Sequence, residues 1–366
     1  MNRIGLELAR LKRNADGNTL SQIFWECTLR CNLCCGHCGS DCKSEPAVKD
    51  MPAGDFLRVL EQVRERLDPH HIMIVVTGGE PLMRADLEQC GRKMYDMGYP
   101  WGIVSNGYAL SQSRLVSLLK AGIHAITISL DGTEEDHDWL RGRKGSFARA
   151  SQAVKMVCDY NNVCKAGGDA LGFTGLTAND AIAFDVVTCV NRRTVNKLRE
   201  IREIMIGLGL RNWRLFTIFP AGRAANNPDL SLTREEMHEL MQFIIETRKE
   251  GKIHAEYACE GFLGDYEGKV RDHFFSCIAG RHVASVLIDG SISACTSIRM
   301  GYHQGNIYKD NFLDVWENGF QQYRDRSWMK REGKCSDCKY WRWCQGGGMH
   351  LRDSEGNLIY CTLDKL

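Results

Sequence analysis

Between Trp25 and Cys42 the chain packs six cysteines into WECTLRCNLCCGHCGSDC. Inside that run lies Cys31-x3-Cys35-x2-Cys38. A [4Fe–4S] cube normally takes four cysteines. Held by three, it keeps one iron free for another ligand, and the chemistry is expected at that iron. Spacing alone leaves a second register, Cys27-x3-Cys31-x2-Cys34, equally possible. Dense Cys/His spacing also suits a zinc knuckle.

The 366 residues suffice for one large domain plus a smaller one. Hydrophobic content of 43% and charged content of 25% match a soluble globular protein. A formal net charge of +1 gives no global field for nucleic acid or anionic membrane. The first residues, MNRIGLELARLKRNADGN, lack an apolar h-region and a small-residue cleavage site, and read as a short amphipathic helix. No stretch is long and apolar enough to span a bilayer. The 17 cysteines fall mainly in two dense groups, which predicts metal sites in a reducing cytoplasm rather than a disulfide framework. Cys90, Cys158, Cys164 and Cys189 are scattered and read as buried thiols.

From residue 22 to about 220, β-rich runs alternate with helix-like segments. Strands are predicted at Gln22–Thr28, Ile72–Thr77, Trp101–Ser105, Ala125–Ser129, Phe184–Val190 and Trp213–Phe219. Helices are predicted near Asp55–Arg66, Asp86–Met97, Ser111–Lys120, Ser146–Cys158 and Thr194–Gly207. That alternation implies βα units on a parallel sheet. Six strands do not close an eight-stranded barrel, so the expectation is α/β, a partial (β/α)6 TIM-like barrel. Ligands of such sheets bind at the carboxyl ends of the strands. The Gly-rich segment 161–180 exceeds a usual αβ loop and reads as either a surface insertion or a lid. The predicted organisation is an N-terminal extension over 1–20, the barrel over 21–225, a connecting helix over 226–250 capped by Thr233, and a cysteine-rich α+β tail over 251–366.

Several turns follow the strands in order. Thr77-Gly78-Gly79-Glu80-Pro81 closes the second, Ser105-Asn106-Gly107 the third, and Ile128-Ser129-Leu130-Asp131-Gly132 the fourth, with Arg141 downstream. With His37 before Cys38, these resemble the radical S-adenosylmethionine (SAM) superfamily over about residues 20–220. The resemblance implies a cluster on Cys31, Cys35 and Cys38, leaving Cys27, Cys34 and Cys42 surplus. It implies that Gly78, Gly79 and Glu80 hold the SAM amino group. Ser105, Asn106 and Ser129 would contact SAM, and Arg141 would pair with its carboxylate through its guanidinium fork. Val187 and Val190 either pack against adenine or belong to the sheet core. Asp131 is the candidate substrate-facing polar group.

The tail contains Cys277-x12-Gly290-x4-Cys295, then Cys335-x2-Cys338-x5-Cys344, then Cys361. VLIDGSISAC reads as a β-hairpin with an Asp-Gly turn. This pattern resembles the SPASM domain of peptide-modifying radical SAM enzymes, with two auxiliary clusters. Carried over, Cys335, Cys338, Cys344 and Cys361 ligate the outer cluster, and Cys277, Cys295 and Cys259 the inner one. Gly348 stands where that pattern has a further cysteine, so the inner cluster is either incomplete, completed by another ligand such as His350, or absent. The CxxC spacing alone also suits a zinc ribbon.

These resemblances imply reductive cleavage of SAM to a 5′-deoxyadenosyl radical, hydrogen abstraction from a peptide or protein, and oxidation or crosslinking of a side chain. They imply a low-potential donor, flavodoxin or ferredoxin. The cysteine-rich run also looks like a lipoprotein-associated radical SAM/SPASM subgroup. Two other readings stay open. One is haem or tetrapyrrole maturation, because Phe219–Ala224 (FPAGRA) is similar to enzymes acting on such substrates. The other is a non-catalytic iron–sulfur or zinc binding module.

Overall fold

The computed structural model describes residues 3–259, 261–298, 301–331 and 333–366. The chain opens with α1 (Arg3–Asp16) and β1 (Gln22–Thr28). Then come α2 (Ala53–Arg64), β2 (Met73–Gly78), α3 (Leu87–Asp96), β3 (Trp101–Ser105), α4 (Gln112–Lys120) and β4 (Ile123–Ser129). After α5 (Glu134–Arg141) and α6 (Ser146–Lys165) come β5 (Ala183–Val190), α7 (Leu198–Gly207), β6 (Asn212–Thr217) and α8 (Arg234–Glu250). The last third carries β7 (His254–Tyr257), β8 (Val283–Val286), β9 (Ser291–Ser293), β10 (Gly305–Asn306) and α9 (Phe312–Asn318).

One ten-stranded sheet runs β10-β9-β8-β1-β2-β3-β4-β5-β6-β7. Neighbours from β8 through β7 in that order are parallel, and β9 and β10 are antiparallel additions. The six expected strands are the centre of this sheet. It extends further than expected at both ends, and it crosses the boundary drawn near residue 250. The strand after α8 pairs with β6, and the tail hairpin pairs in parallel with β1, Gln22 opposite Val283. The two edges do not meet, so the barrel is open.

The strand β1 shows why the sequence folds this way. Ile23, Trp25 and Cys27 alternate onto the helix side and are fully buried in the main core. The Trp25 ring lies flat on Phe56 of α2, 4.6 Å between centroids. The opposite face of β1 carries Glu26 toward the inside of the sheet's curve. Thr233 caps α8 reciprocally with Glu236, as its sequence position predicts.

Segment 161–180 differs in part from expectation. The helix α6 runs seven residues past the predicted end at Cys158, to Lys165. The remainder folds back on it, with Leu176 packed against Tyr160 and Cys164. It precedes β5 and so lies at the amino ends of the strands, opposite the site described next. That placement makes it a surface insertion and not a lid. No helix among the described residues is long and apolar enough to cross a membrane.

Candidate functional site

The carboxyl ends of β1 to β4 surround a cavity of about 150 Å³. Its wall includes Cys31, Cys35, Cys38 and Cys42 from the loop after β1, then Gly78, Gly79, Ser105, Asn106, Ser129 and Arg141. The loop is pinned at its base, where the Cys31 N–H donates to Lys43 O at 2.8 Å. Cys27 faces the opposite side of β1, in the helix core, and Cys34 is exposed. The register Cys27/Cys31/Cys34 is therefore not assembled, whereas Cys31, Cys35 and Cys38 share one cavity.

Among the described residues, no three cysteine sulfurs lie within 4.8 Å of one another. A single zinc ion with Zn–S bonds of 2.3 Å holds its sulfurs about 3.8 Å apart. The loop thiols are not gathered as a single zinc ion would gather them. Their surroundings suit an anionic group. The Arg141 guanidinium reaches Cys35 Sγ at 3.7 Å, and the Asn106 amide faces Cys31 Sγ at 3.9 Å. A hydrogen bond from the Cys42 thiol, with the nearby Arg223 guanidinium, pulls the Cys38 thiol down to about 5 against burial. Burial pushes Cys31 up to about 11.

Glycines after β2 make the close approaches possible. A Cβ on Gly79 would meet Arg30 O at 2.3 Å. Glu80 lies just behind this wall, buried, accepting from the Leu82 N–H (3.1 Å), the Ser105 hydroxyl (2.8 Å) and the Asn106 N–H (2.7 Å). Burial raises its carboxyl.

Asp131 is 0% exposed and lines neither this cavity nor the cleft beyond it. Its Oδ2 accepts from Arg141 Nε at 2.5 Å and its Oδ1 from the Cys189 N–H at 2.8 Å. The expected substrate-facing group is thus set beneath the floor, holding Arg141. Burial would raise its carboxyl, but Arg141, then His37 and His137, hold it below the usual range. Val190 is fully buried in the core between sheet and helices, as sheet packing requires.

His37, Thr77 and Gly78 also line a larger cleft of about 520 Å³. Its walls are Glu26, Cys189, Phe216 and Phe219 of the barrel, and Thr296, Ser297 and His350 of the tail. The His350 ring stands edge-on to Phe219, centroids 5.2 Å apart. Burial drives His37 down to about 4, so it is neutral near pH 7. No Lys or Arg lines this cleft among the described residues.

In the tail, Cys335, Cys338, Cys344 and Cys361 line one cavity of about 360 Å³ with Phe262, Tyr340 and Tyr360. The buried Arg352 donates to Cys335 Sγ at 3.3 Å. The Tyr323 phenol is raised by burial first and then by the Cys277 and Cys295 thiols. Burial would raise Cys277, but the buried Arg326 guanidinium lowers it. Cys259 follows β7 and lies beside the end of β6, where its Sγ accepts from the Thr217 N–H at 3.1 Å. It lines the cleft with Cys189.

Sequence reasoning passed over Cys42, Glu26, Cys189 and Arg223. The Arg223 side chain donates to Cys35 O (2.7 Å) and Cys42 O (3.0 Å), and its N–H donates to Cys38 O (3.0 Å). Its signal was the FPAGRA segment, read there for substrate rather than for bracing the cysteine loop.

Comparison with known proteins agrees with the geometry. The radical SAM superfamily profile matches residues 25–184, and the SPASM iron–sulfur cluster-binding domain matches residues 277–339. An AdoMet-dependent heme synthase of Oleidesulfovibrio alaskensis is 25% identical over 342 residues, 88% of this chain and 81% of that protein. A mycofactocin maturase of Mycolicibacterium smegmatis is 28% identical over 344 residues, 91% of this chain and 79% of that protein. The structure of Streptococcus suis SuiB bound to the precursor peptide SuiA superposes with a TM-score of 0.67 at 16% identity, covering 94% of this chain and 75% of that one.

Proposed function

The chain belongs to the radical SAM superfamily and carries a SPASM domain, and we propose that it oxidises or crosslinks a side chain of a peptide or protein. Cys31, Cys35 and Cys38 hold a [4Fe–4S] cluster, and Gly78, Gly79, Ser105, Asn106, Ser129 and Arg141 form the wall that takes SAM. Bound there and reduced, that pair would supply a 5′-deoxyadenosyl radical for hydrogen abstraction. The Glu80 carboxylate, buried without a guanidinium or ammonium bonded to it among the described residues, suits the SAM ammonium. Asp131 keeps Arg141 aimed at the cysteine loop.

The cleft beyond His37 takes the substrate. Oxidation removes a hydrogen atom, an electron and a proton. Glu26 of the barrel and His350 of the tail both line the cleft and are placed to receive the proton. The tail thiols would hold the auxiliary clusters, with Cys335, Cys338, Cys344 and Cys361 as the outer set, and those clusters would supply an acceptor for the electron. A low-potential flavodoxin or ferredoxin supplies the electron that starts the cycle.

The composition of the cleft wall carries this reading. A tetrapyrrole brings several carboxylates, and cationic partners are the strongest compensation for burying them. The described wall offers Glu26 and no Lys or Arg. An uncharged or basic peptide segment fits it. Among the relatives, similarity to a mycofactocin maturase and to a PqqA peptide cyclase agrees. A second reading, tetrapyrrole maturation, is favoured by the chain-long similarity to proteins named AdoMet-dependent heme synthase.

Mass analysis separates the two. The reduced, reconstituted protein is incubated with SAM and either an unstructured peptide library or Fe-coproporphyrin III. Peptides lighter by two hydrogens support the proposal. A porphyrin that loses carboxyl groups, with unchanged peptides, rejects it.

A further inference from the structure

Cys42 is the fourth cysteine on the wall of the SAM cavity. It is 3% exposed and packs with Cys31 and Cys35. Its thiol donates to Ser40 O at 4.0 Å, within the same turn. A buried cysteine is often only a small hydrophobe. Two features set this one apart.

The first is the turn that aims it. Asp41 has φ of 48°, in the left-handed region that few non-glycine residues adopt. Arg223 holds that turn. It donates to Asp41 Oδ1 and to Cys42 O, both at 3.0 Å, while its Nε grips Cys35 O at 2.7 Å. A strained turn persists where surrounding contacts over-determine it. Here those contacts hold Cys42 on the wall of the cavity that the three thiols line.

The second is arithmetic. Three thiolates leave one iron of a cube without a protein ligand, and four is the ordinary complement. The cavity wall presents four.

We propose that Cys42 is a displaceable fourth ligand of the loop cluster, bound when SAM is absent and released when SAM arrives. The exchange transfers no electron. The SAM amino and carboxylate groups take the iron position, and the Cys42 thiolate leaves and takes up a proton from solvent. In the released state the Cys42 thiol donates to Ser40 O, the arrangement seen here. The device would protect the otherwise open iron between turnovers, at the cost of competing with SAM. It rests on the assignment of Cys31, Cys35 and Cys38 as ligands.

The test compares reconstituted full-length wild type, Cys42→Ala, Cys42→Ser and, as a control at an exposed cysteine of the same loop, Cys34→Ala. Iron and sulfide per chain are measured in each. Each protein is then oxidised with ferricyanide, and loss of one iron is followed as the [3Fe–4S] signal in electron paramagnetic resonance, with and without SAM. SAM affinity is measured by equilibrium dialysis. The two Cys42 variants should lose iron at least tenfold faster than wild type without SAM, and SAM should abolish the difference. They should bind SAM about tenfold more tightly. Cys34→Ala should match wild type. Cys42→Ser preserves side-chain size and carries the comparison if Cys42→Ala assembles less iron. Equal oxidation rates and equal SAM affinities in wild type and Cys42→Ser would overturn the ligand role while leaving the three-thiol assignment intact. A wild type whose iron signal never responds to SAM would overturn both.

Discussion

The Arg141 guanidinium donates to Asp131 Oδ2 at 2.5 Å while facing Cys35 Sγ at 3.7 Å. One buried cation thus joins a carboxylate under the cavity floor to a thiol on its wall. Removing one partner of such a pair strands the other charge, which costs about 3–5 kcal/mol. Asp131→Asn should therefore destabilise the metal-free protein by about that amount in urea unfolding. A loss below about 1 kcal/mol would mean that the thiol alone suffices as Arg141's partner.

His137 gives a pH dependence with a definite sign. Its Nδ1 accepts the Asp131 N–H at 3.0 Å, and burial lowers it from 6.5 to about 4. The group is depressed in the folded state, so its contribution is fully present above pH 6.5 and fades as pH falls toward 4. Metal-free protein should lose up to about 1.4 kcal/mol per pH unit from this group in that window. His137→Asn can keep the acceptor and cannot titrate. The difference in urea stability between it and wild type should change with pH between 6.5 and 4. A constant difference would show that His137 is not the source.

Gly79 allows the β2 turn to touch the loop after β1. An added Cβ would lie 2.3 Å from Arg30 O, a backbone atom that cannot swing aside. Gly79→Ala should weaken SAM binding at least tenfold in equilibrium dialysis of the reconstituted protein, about 1.4 kcal/mol. Unchanged affinity would place SAM elsewhere.

Most of the sheet was legible because each central strand is a short β-branched or aromatic run that ends in a turn with its own chemistry. The strands ending at Thr28, Ser105, Ser129 and Val190 close where the sequence predicts. The parallel pairing of β8 on β1 was not legible, because it joins residues about 260 apart through hydrogen bonds common to every strand. The same limit hid Arg223 and Cys42. Neither stands out by spacing, and their roles arise from one guanidinium reaching three loop carbonyl and carboxylate groups. Asp131 was over-read for the complementary reason. A carboxylate beside a ligand motif looks solvent-facing until its partner, ten residues on, is placed.

Arg352 donates to Cys335 Sγ at 3.3 Å and has no carboxylate partner among the described residues. A cation beside a cluster favours its reduced, more negative state. Arg352→Met should lower the midpoint potential of the outer tail cluster, on the order of 60 mV for a tenfold change in the reduced-to-oxidised ratio. Redox titration followed by electron paramagnetic resonance reads the shift. No shift, or an upward one, would separate Arg352 from that cluster.

The most direct test of the central claim is SAM cleavage by the reduced, reconstituted protein and by its Cys31→Ala/Cys35→Ala/Cys38→Ala variant. Iron and zinc are counted in the same samples. Wild type should release 5′-deoxyadenosine, and the variant should release none while keeping the iron bound by its tail. A variant that still cleaves SAM, or a wild type that holds zinc in place of iron and cleaves none, would contradict the account.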